Sequence, residues 1–293
     1  MSERSLYIIG NGFDIFHGVK SKYSDFRDFV KINDKNLFET LEEYFEPELL
    51  WSEFEETLAQ IDTEKIIEDA EYYLYPYNAD DWSESYNHSY QEEIKKIVES
   101  VTILLKSIFI KWILSLKVDC SKRLNLPLNS TYLNFNYSAT LESIYRISNE
   151  NIEYIHNKAE NEKSNLILGH SRKNPQGGNE NYSDDEDFRI KEGIVLIEKY
   201  FLDTYKNTED VIAKKEEFFC KLDSIEKVYV FGHSISKVDI KYFEKVYNTI
   251  KFDAKWTVSY HHKDEMPKLK EALESIGLNS NNIKLIELND ITI

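Results

Sequence analysis

The residues best suited to chemistry stand where short apolar runs stop. Leu6-Tyr7-Ile8-Ile9 ends in Gly10-Asn11-Gly12-Phe13-Asp14, with His17-Gly18 close behind. Leu133-Asn134-Phe135 runs into Asn136-Tyr137-Ser138, Tyr154-Ile155 into His156-Asn157, and Val230-Phe231 into Gly232-His233-Ser234. A fifth run, Ile167-Leu168, stops at Gly169-His170-Ser171. Amides and carboxylates bind sugar hydroxyls, a neutral imidazole accepts a proton near neutrality, and glycine lets a backbone be approached closely. Only 9 glycines occur in 293 residues, so Gly10, Gly12 and Gly18 mark a turn where close approach is needed. In an open parallel sheet the carboxyl ends of the strands gather on one edge, and ligands bind there. Asn11, Asp14, Asn136, His156, His170, His233 and Ser234 are therefore expected to converge, although they are far apart in the chain.

The familiar signatures are incomplete or missing. Gly10-x-Gly12 lacks the third glycine and the later acidic residue of a dinucleotide fingerprint, and no Gly-Lys-Ser/Thr follows it. A tight strand-to-helix turn without a ligand remains an open reading, as does a structural role for each histidine. No His-Glu-x-x-His is present. The 2 cysteines, Cys120 and Cys220, cannot build a zinc ribbon, so no metal is expected. His261-His262 reads as a surface pair without a role. Trp51, Phe54 and Leu58 share one face of an amphipathic helix. Glu55 lies beside that stripe, where it could reach a site from a cap.

Elements must position these groups. The run at 5–9 lacks alternation and reads as a strand buried on both faces. Further strands are expected at 131–135, 152–156, 165–168, 227–231, 255–260 and 283–288. Helices are expected at 24–30, 139–148, 190–222, 238–247 and 266–276. Residues 37–44, 51–61, 64–73 and 85–116 all have helical spacing, the last as one long helix. The expected architecture is α/β: a Rossmann-like, mostly parallel sheet formed by 1–35 and 119–293, with a helical insertion or cap at 36–118. The segment 171–188 reads as a solvated loop or a lid.

A net charge of −17 argues against a protein that grips nucleic acid. The longest apolar run, 101–116, is too interrupted to span a bilayer, and no targeting segment is read at the start. Cytoplasmic location, with no nucleic-acid or membrane partner, is the expectation.

Taken together, the motifs resemble the AbiH family of bacterial abortive-infection proteins. The resemblance rests on Ile8-Ile9-Gly10-Asn11-Gly12-Phe13-Asp14, His17-Gly18, Tyr23-x-Asp25-Phe26, Trp51-x-x-Phe54-Glu55, Phe135-Asn136-Tyr137-Ser138-x-Thr140, Tyr154-Ile155-His156, and Phe231-Gly232-His233-Ser234 through Asp239 and Tyr242-Phe243. It implies defence against bacteriophage. More distantly the skeleton resembles the sirtuin-like NAD-binding fold. That resemblance implies a phosphate turn at Gly10 and Gly12, a ribose asparagine at Asn136, a catalytic histidine at His156, and an adenosine-side turn at Gly232 and Ser234. Three positions depart from the sirtuin-like pattern: Asn157 replaces Gly, Asp14 replaces Ser, and Ser138 replaces Asp. Hydrolysis of NAD or a related nucleotide at its N-glycosidic bond is the implied reaction. Asn136, His156, Asp14 and Glu55 are its catalytic candidates, with Asn11, Phe13, His17, His233 and Asp239 among the nucleotide-binding ones. A nucleotide-sensing module that switches a partner or an oligomer without catalysis is the alternative. A phage-derived trigger, a partner protein or homo-oligomerisation would suit either role.

Overall fold

The computed structural model describes residues 4–78, 80, 82–172 and 187–291. Six strands form one sheet: β1 (Ser5–Ile9), β2 (Thr131–Asn134), β3 (Ile152–Tyr154), β4 (Lys227–Phe231), β5 (Lys255–Tyr260) and β6 (Ile283–Glu287). Every pairing is parallel, and the order is β3-β2-β1-β4-β5-β6. This is the doubly wound order 3-2-1-4-5-6, which reverses direction between β1 and β4. The α/β Rossmann-like expectation is met.

The lack of alternation in β1 now has its reason. Leu6 and Ile8 join a core with Leu133, Val228, Val230 and Val258 on one face. Tyr7 and Ile9 join Phe13, Tyr132, Leu141 and Phe231 on the other. A central strand with a core on each face must be apolar at every position. Tyr7 also stacks between the rings of Tyr132 and Tyr229, with centroids 5.1 and 4.9 Å away.

The chain divides into two compact units. The sheet unit comprises Met1–Lys22, Ile110–Ile167 and Asn207–Ile293; the helical unit comprises Tyr23–Phe109 and Leu168–Lys206. The helical unit thus differs in its bounds from 36–118: its first segment starts at Tyr23 and ends at Phe109, and it takes in a second segment. In its core, Phe26 and Phe54 pack edge-to-face at 5.4 Å, and Phe109 lies against Phe26 at 5.2 Å. The helix Phe188–Asp203 lies along Ser89–Glu99 with Gly193 at the crossing, where a Cβ would stand 2.5 Å from the Tyr90 ring.

Three local expectations change. Residues 165–168 are not a strand, since no strand among the described residues pairs with them. They are held singly: the Ile167 N–H donates to His156 O at 3.0 Å, and Ile167 O accepts from the Tyr137 hydroxyl at 2.8 Å. The stretch 190–222 is three helices, Phe188–Asp203, Thr208–Lys214 and Glu216–Cys220, and the first break falls where the chain passes from one unit to the other at Lys206. Residues 85–116 do form helix, but through a π turn at Ser100–Leu104 between Ser89–Glu99 and Leu105–Ser115. Of the segment 171–188, residues 173–186 lie outside the described residues. Among the described residues, no helix is long and apolar enough to cross a membrane.

Candidate active site

The turns after β1 and β4 clasp each other. The Gly10 N–H donates to Phe231 O at 3.0 Å, the Gly12 N–H to Gly232 O at 2.8 Å, and the Phe13 N–H to Gly10 O at 3.0 Å. A Cβ on Gly10 would stand 2.6 Å from Gly232 O, and one on Gly232, at φ +63, would stand 2.1 Å from the Phe13 nitrogen. The close approach that these glycines permit is therefore between two turns at the point where the strand order reverses. All three N–H donors are engaged inside the protein, so the expected phosphate role of Gly10, Gly12 and Phe13 has no free donor among them. The Phe13 side chain is wholly in the core.

Asn11 and His17 hold the same turn. Asn11 Nδ2 donates to Ser21 O at 2.7 Å. His17 Nδ1 lies 2.7 Å from Phe13 O, so it carries the proton; Nε2 then accepts from the Tyr145 hydroxyl at 2.6 Å. That hydroxyl in turn accepts the Leu124 N–H at 3.2 Å. Burial lowers the His17 pKa, and the neutral ring is a clamp with both nitrogens taken.

A buried polar cluster lies between the ends of β1 and β2. Asp14 is in the first turn of the short helix Asn11–Phe16, and Asn136, Ser138 and Thr140 follow β2. The Ser138 hydroxyl donates to Asp14 Oδ2 and lies 3.0 Å from Thr140 Oγ1. Asn136 Nδ2 donates to Gly10 O at 3.1 Å, and its backbone N–H donates to Asn134 Oδ1 at 3.1 Å. Asp14 Oδ1 and Asn136 Oδ1 are buried without a hydrogen-bond partner among the described residues. Burial pushes the Asp14 carboxyl up to about 6, against hydrogen bonding from Ser138, Thr140 and Asn136 that favours its charged form. A carboxylate poised near neutrality with an unpartnered oxygen can stabilise positive charge or take a proton.

A second cluster follows β3 and β4. His156 is buried with its ring 5.4 Å from Phe135 and 5.8 Å from Tyr137. Its Nε2 lies 3.4 Å from Asp239 Oδ1, and His233 Nε2 lies 3.6 Å from Asp239 Oδ2. Phe135 packs edge-on against both imidazoles. Because Phe135 and Asn136 are consecutive, the two clusters share the exit of β2. After His156, Asn157 adopts φ +64, the left-handed conformation glycine would supply and asparagine tolerates. Its side chain donates to Asn165 O at 2.7 Å. Ser234 is exposed.

The fold thus brings Asp14, Asn136, His156, His233 and Asp239 to one edge of the sheet. His170 and Glu55 belong to the helical unit. His170 sits at a bridge to Tyr205, and burial, with the Arg172 charge, lowers its pKa to about 4. Glu55 pairs with the buried Lys206 ammonium at 2.9 Å. The sequence reading leaves Ser138 and Thr140 out of the site, although their Ser-x-Thr spacing after a strand end is a usable signal. Two surface depressions, one lined by Glu153, Tyr154 and Lys158 and one by Gln91, Lys95 and Glu192, do not include the clustered residues. Among the described residues, no group of three or more His, Cys, Asp or Glu is arranged to hold a metal ion.

Residues 6–260 match the model of a family described as Bacteriophage abortive infection AbiH. Searches of curated proteins and of solved structures return no match.

Proposed function

The chain belongs to the AbiH family, whose role is bacteriophage abortive infection, and we propose that it performs this role by hydrolysing NAD or a related nucleotide at the N-glycosidic bond. The observation that carries the reading is the pair of buried, unpartnered oxygens, Asp14 Oδ1 and Asn136 Oδ1, at adjoining strand ends. Buried acceptors without donors cost stability, and such groups concentrate at binding sites. Ribose hydroxyls are donors that would satisfy them.

The reaction is the breaking of the bond between the ribose C1′ and the nicotinamide nitrogen, whose electron pair leaves with nicotinamide. Positive charge develops on the ribose, and the Asp14 carboxylate stabilises it. Asn136 orients the ribose or the incoming water. The water oxygen bonds to C1′, and its proton passes to His156. ADP-ribose, nicotinamide and a proton result.

The departures from the sirtuin-like pattern support the reading. Asp14 and Ser138 are hydrogen-bonded to each other, so the chain carries one Ser–Asp pair with its members exchanged. Asn157 adopts φ +64, a left-handed conformation of the kind that glycine favours.

The test is incubation of the purified full chain with NAD and with NADP while free nicotinamide is followed. Release by the native protein, reduced at least about 10²-fold in both Asn136→Ala and His156→Ala, is expected. Full activity in either variant, or no release from the native protein, would refute hydrolysis. Tight binding of NAD or ADP-ribose without product would assign the chain to nucleotide sensing instead.

A further inference from the structure

We infer that Asp239 is a positioning residue that fixes the tautomer of His156, leaving Nδ1 as its proton-accepting nitrogen. The inference rests on the hydrolytic reading for its chemistry but on geometry for its substance. Asp239 occupies the N-cap position of the helix Ile240–Thr249, yet its side chain makes no capping hydrogen bond. An aspartate there ordinarily accepts from the second or third helical N–H. Here the carboxylate faces two imidazoles instead, at 3.4 Å from His156 Nε2 and 3.6 Å from His233 Nε2.

The proton positions follow from the neighbours. His233 Nδ1 accepts the Ile235 N–H at 2.9 Å, so the proton of a neutral His233 is on Nε2, toward Asp239. His156 Nε2 has no hydrogen-bond partner among the described residues, and the other carboxylate oxygen of Asp239 lies 3.4 Å from it. A carboxylate beside a ring nitrogen favours the tautomer that presents N–H to it. Both rings are therefore Nε2–H, and the lone pair of His156 is on Nδ1. The loop that holds this arrangement is strained: Ile235, buried and β-branched, has φ +51. Such a conformation costs about 1–3 kcal/mol and is retained where surrounding structure enforces it.

Asp239→Asn discriminates this role from a merely structural one. Because the Ile235 N–H keeps His233 as Nε2–H, the new amide must turn its oxygen to His233 and its NH₂ to His156. His156 is then driven to the Nδ1–H tautomer, with its base nitrogen capped. The experiment is long-range proton–nitrogen NMR of the full chain labelled with ¹⁵N-histidine at about pH 8, where a free histidine is neutral. The signal of His156 is identified by its loss in His156→Asn. Expected are Nε2–H in the native protein and Nδ1–H in Asp239→Asn, with His233 unchanged. An Nδ1–H or doubly protonated His156 in the native protein, or an unchanged His156 in the variant, would overturn the inference.

Turnover supplies the second readout. Asp239→Asn should lower kcat for NAD by about 10²–10⁴-fold with KM nearly unchanged, the signature of a wrong tautomer in a histidine–carboxylate couple. The tautomer change without any NAD cleavage by the native protein would uphold the positioning role and refute hydrolysis. Unchanged turnover in the variant would refute Nδ1 as the base.

Discussion

Asp14 offers the sharpest quantitative test, because its environment works against its own charge. Its carboxyl is raised from 3.8 to about 6, and each tenfold change in proton affinity corresponds to about 1.4 kcal/mol. The sign follows from linkage. The folded state binds the proton more tightly than the unfolded one, so the stabilising contribution is complete below about 3.8 and is lost as pH rises through about 6. Above that, an ionised Asp14 makes the fold about 3 kcal/mol less stable than a neutral group would.

Asp14→Asn keeps the shape and removes the charge. The asparagine oxygen can still accept the Ser138 hydroxyl that now bonds Asp14 Oδ2. The variant should therefore be more stable than the native chain, by about 3 kcal/mol at pH 8 and by about half that at pH 5. Urea unfolding at the two pH values measures it. The same variant should lose nicotinamide release. A gain in stability joined to a loss of activity marks a group kept for function against the interest of the fold. If Asp14→Asn is less stable than the native chain at pH 8, or if the difference is the same at both pH values, the buried-charge argument is wrong.

Two further outcomes are expected. Gly232→Ala should abolish cooperative unfolding, since its Cβ would stand 2.1 Å from the Phe13 nitrogen at φ +63, whereas Gly18→Ala meets nothing within 4 Å and should cost only about 1–2 kcal/mol for its φ of +82, as read by urea unfolding. Glu55→Gln removes a carboxylate 2.9 Å from the buried Lys206 ammonium and should lower stability, and pairing it with Lys206→Met should recover part of the loss in the same assay.

What could be read from the sequence follows from what is local. The unalternating run of β1, its strand-end turn and the parallel sheet all announce themselves within a few residues. The helical stretches do so by their spacing. What could not be read depends on partners far along the chain. Glu55 has a helical position beside an apolar stripe, and the partner it pairs with, Lys206, stands 151 residues later. Three glycines near the start implied close approach; the fold shows that Gly232 approaches Gly10 and Gly12, whereas a Cβ on Gly18 would meet nothing within 4 Å. His17 has the sequence context of a ligand-binding residue, and only Tyr145 accounts for its second nitrogen. Residues 165–168 have strand composition, but a strand exists only through a neighbour, and none among the described residues pairs with them.

The contrast between the two turn histidines shows why burial alone does not assign a role. His17 and His156 are both almost wholly buried. His17 has both ring nitrogens within normal hydrogen-bond distance of groups that need them, and removing any member would leave another unsatisfied. His156 faces a carboxylate at 3.4 Å without the direction of a hydrogen bond, and the residue supplying that carboxylate leaves its own helix uncapped. Local stability would be better served by an Asp239 that caps and an apolar residue in place of His156. Asp14 repeats the theme, since a neutral side chain there would stabilise the fold. Three ionisable groups on one sheet edge, each held in a state that packing alone disfavours, are what a site arranged for proton transfer and charge stabilisation requires.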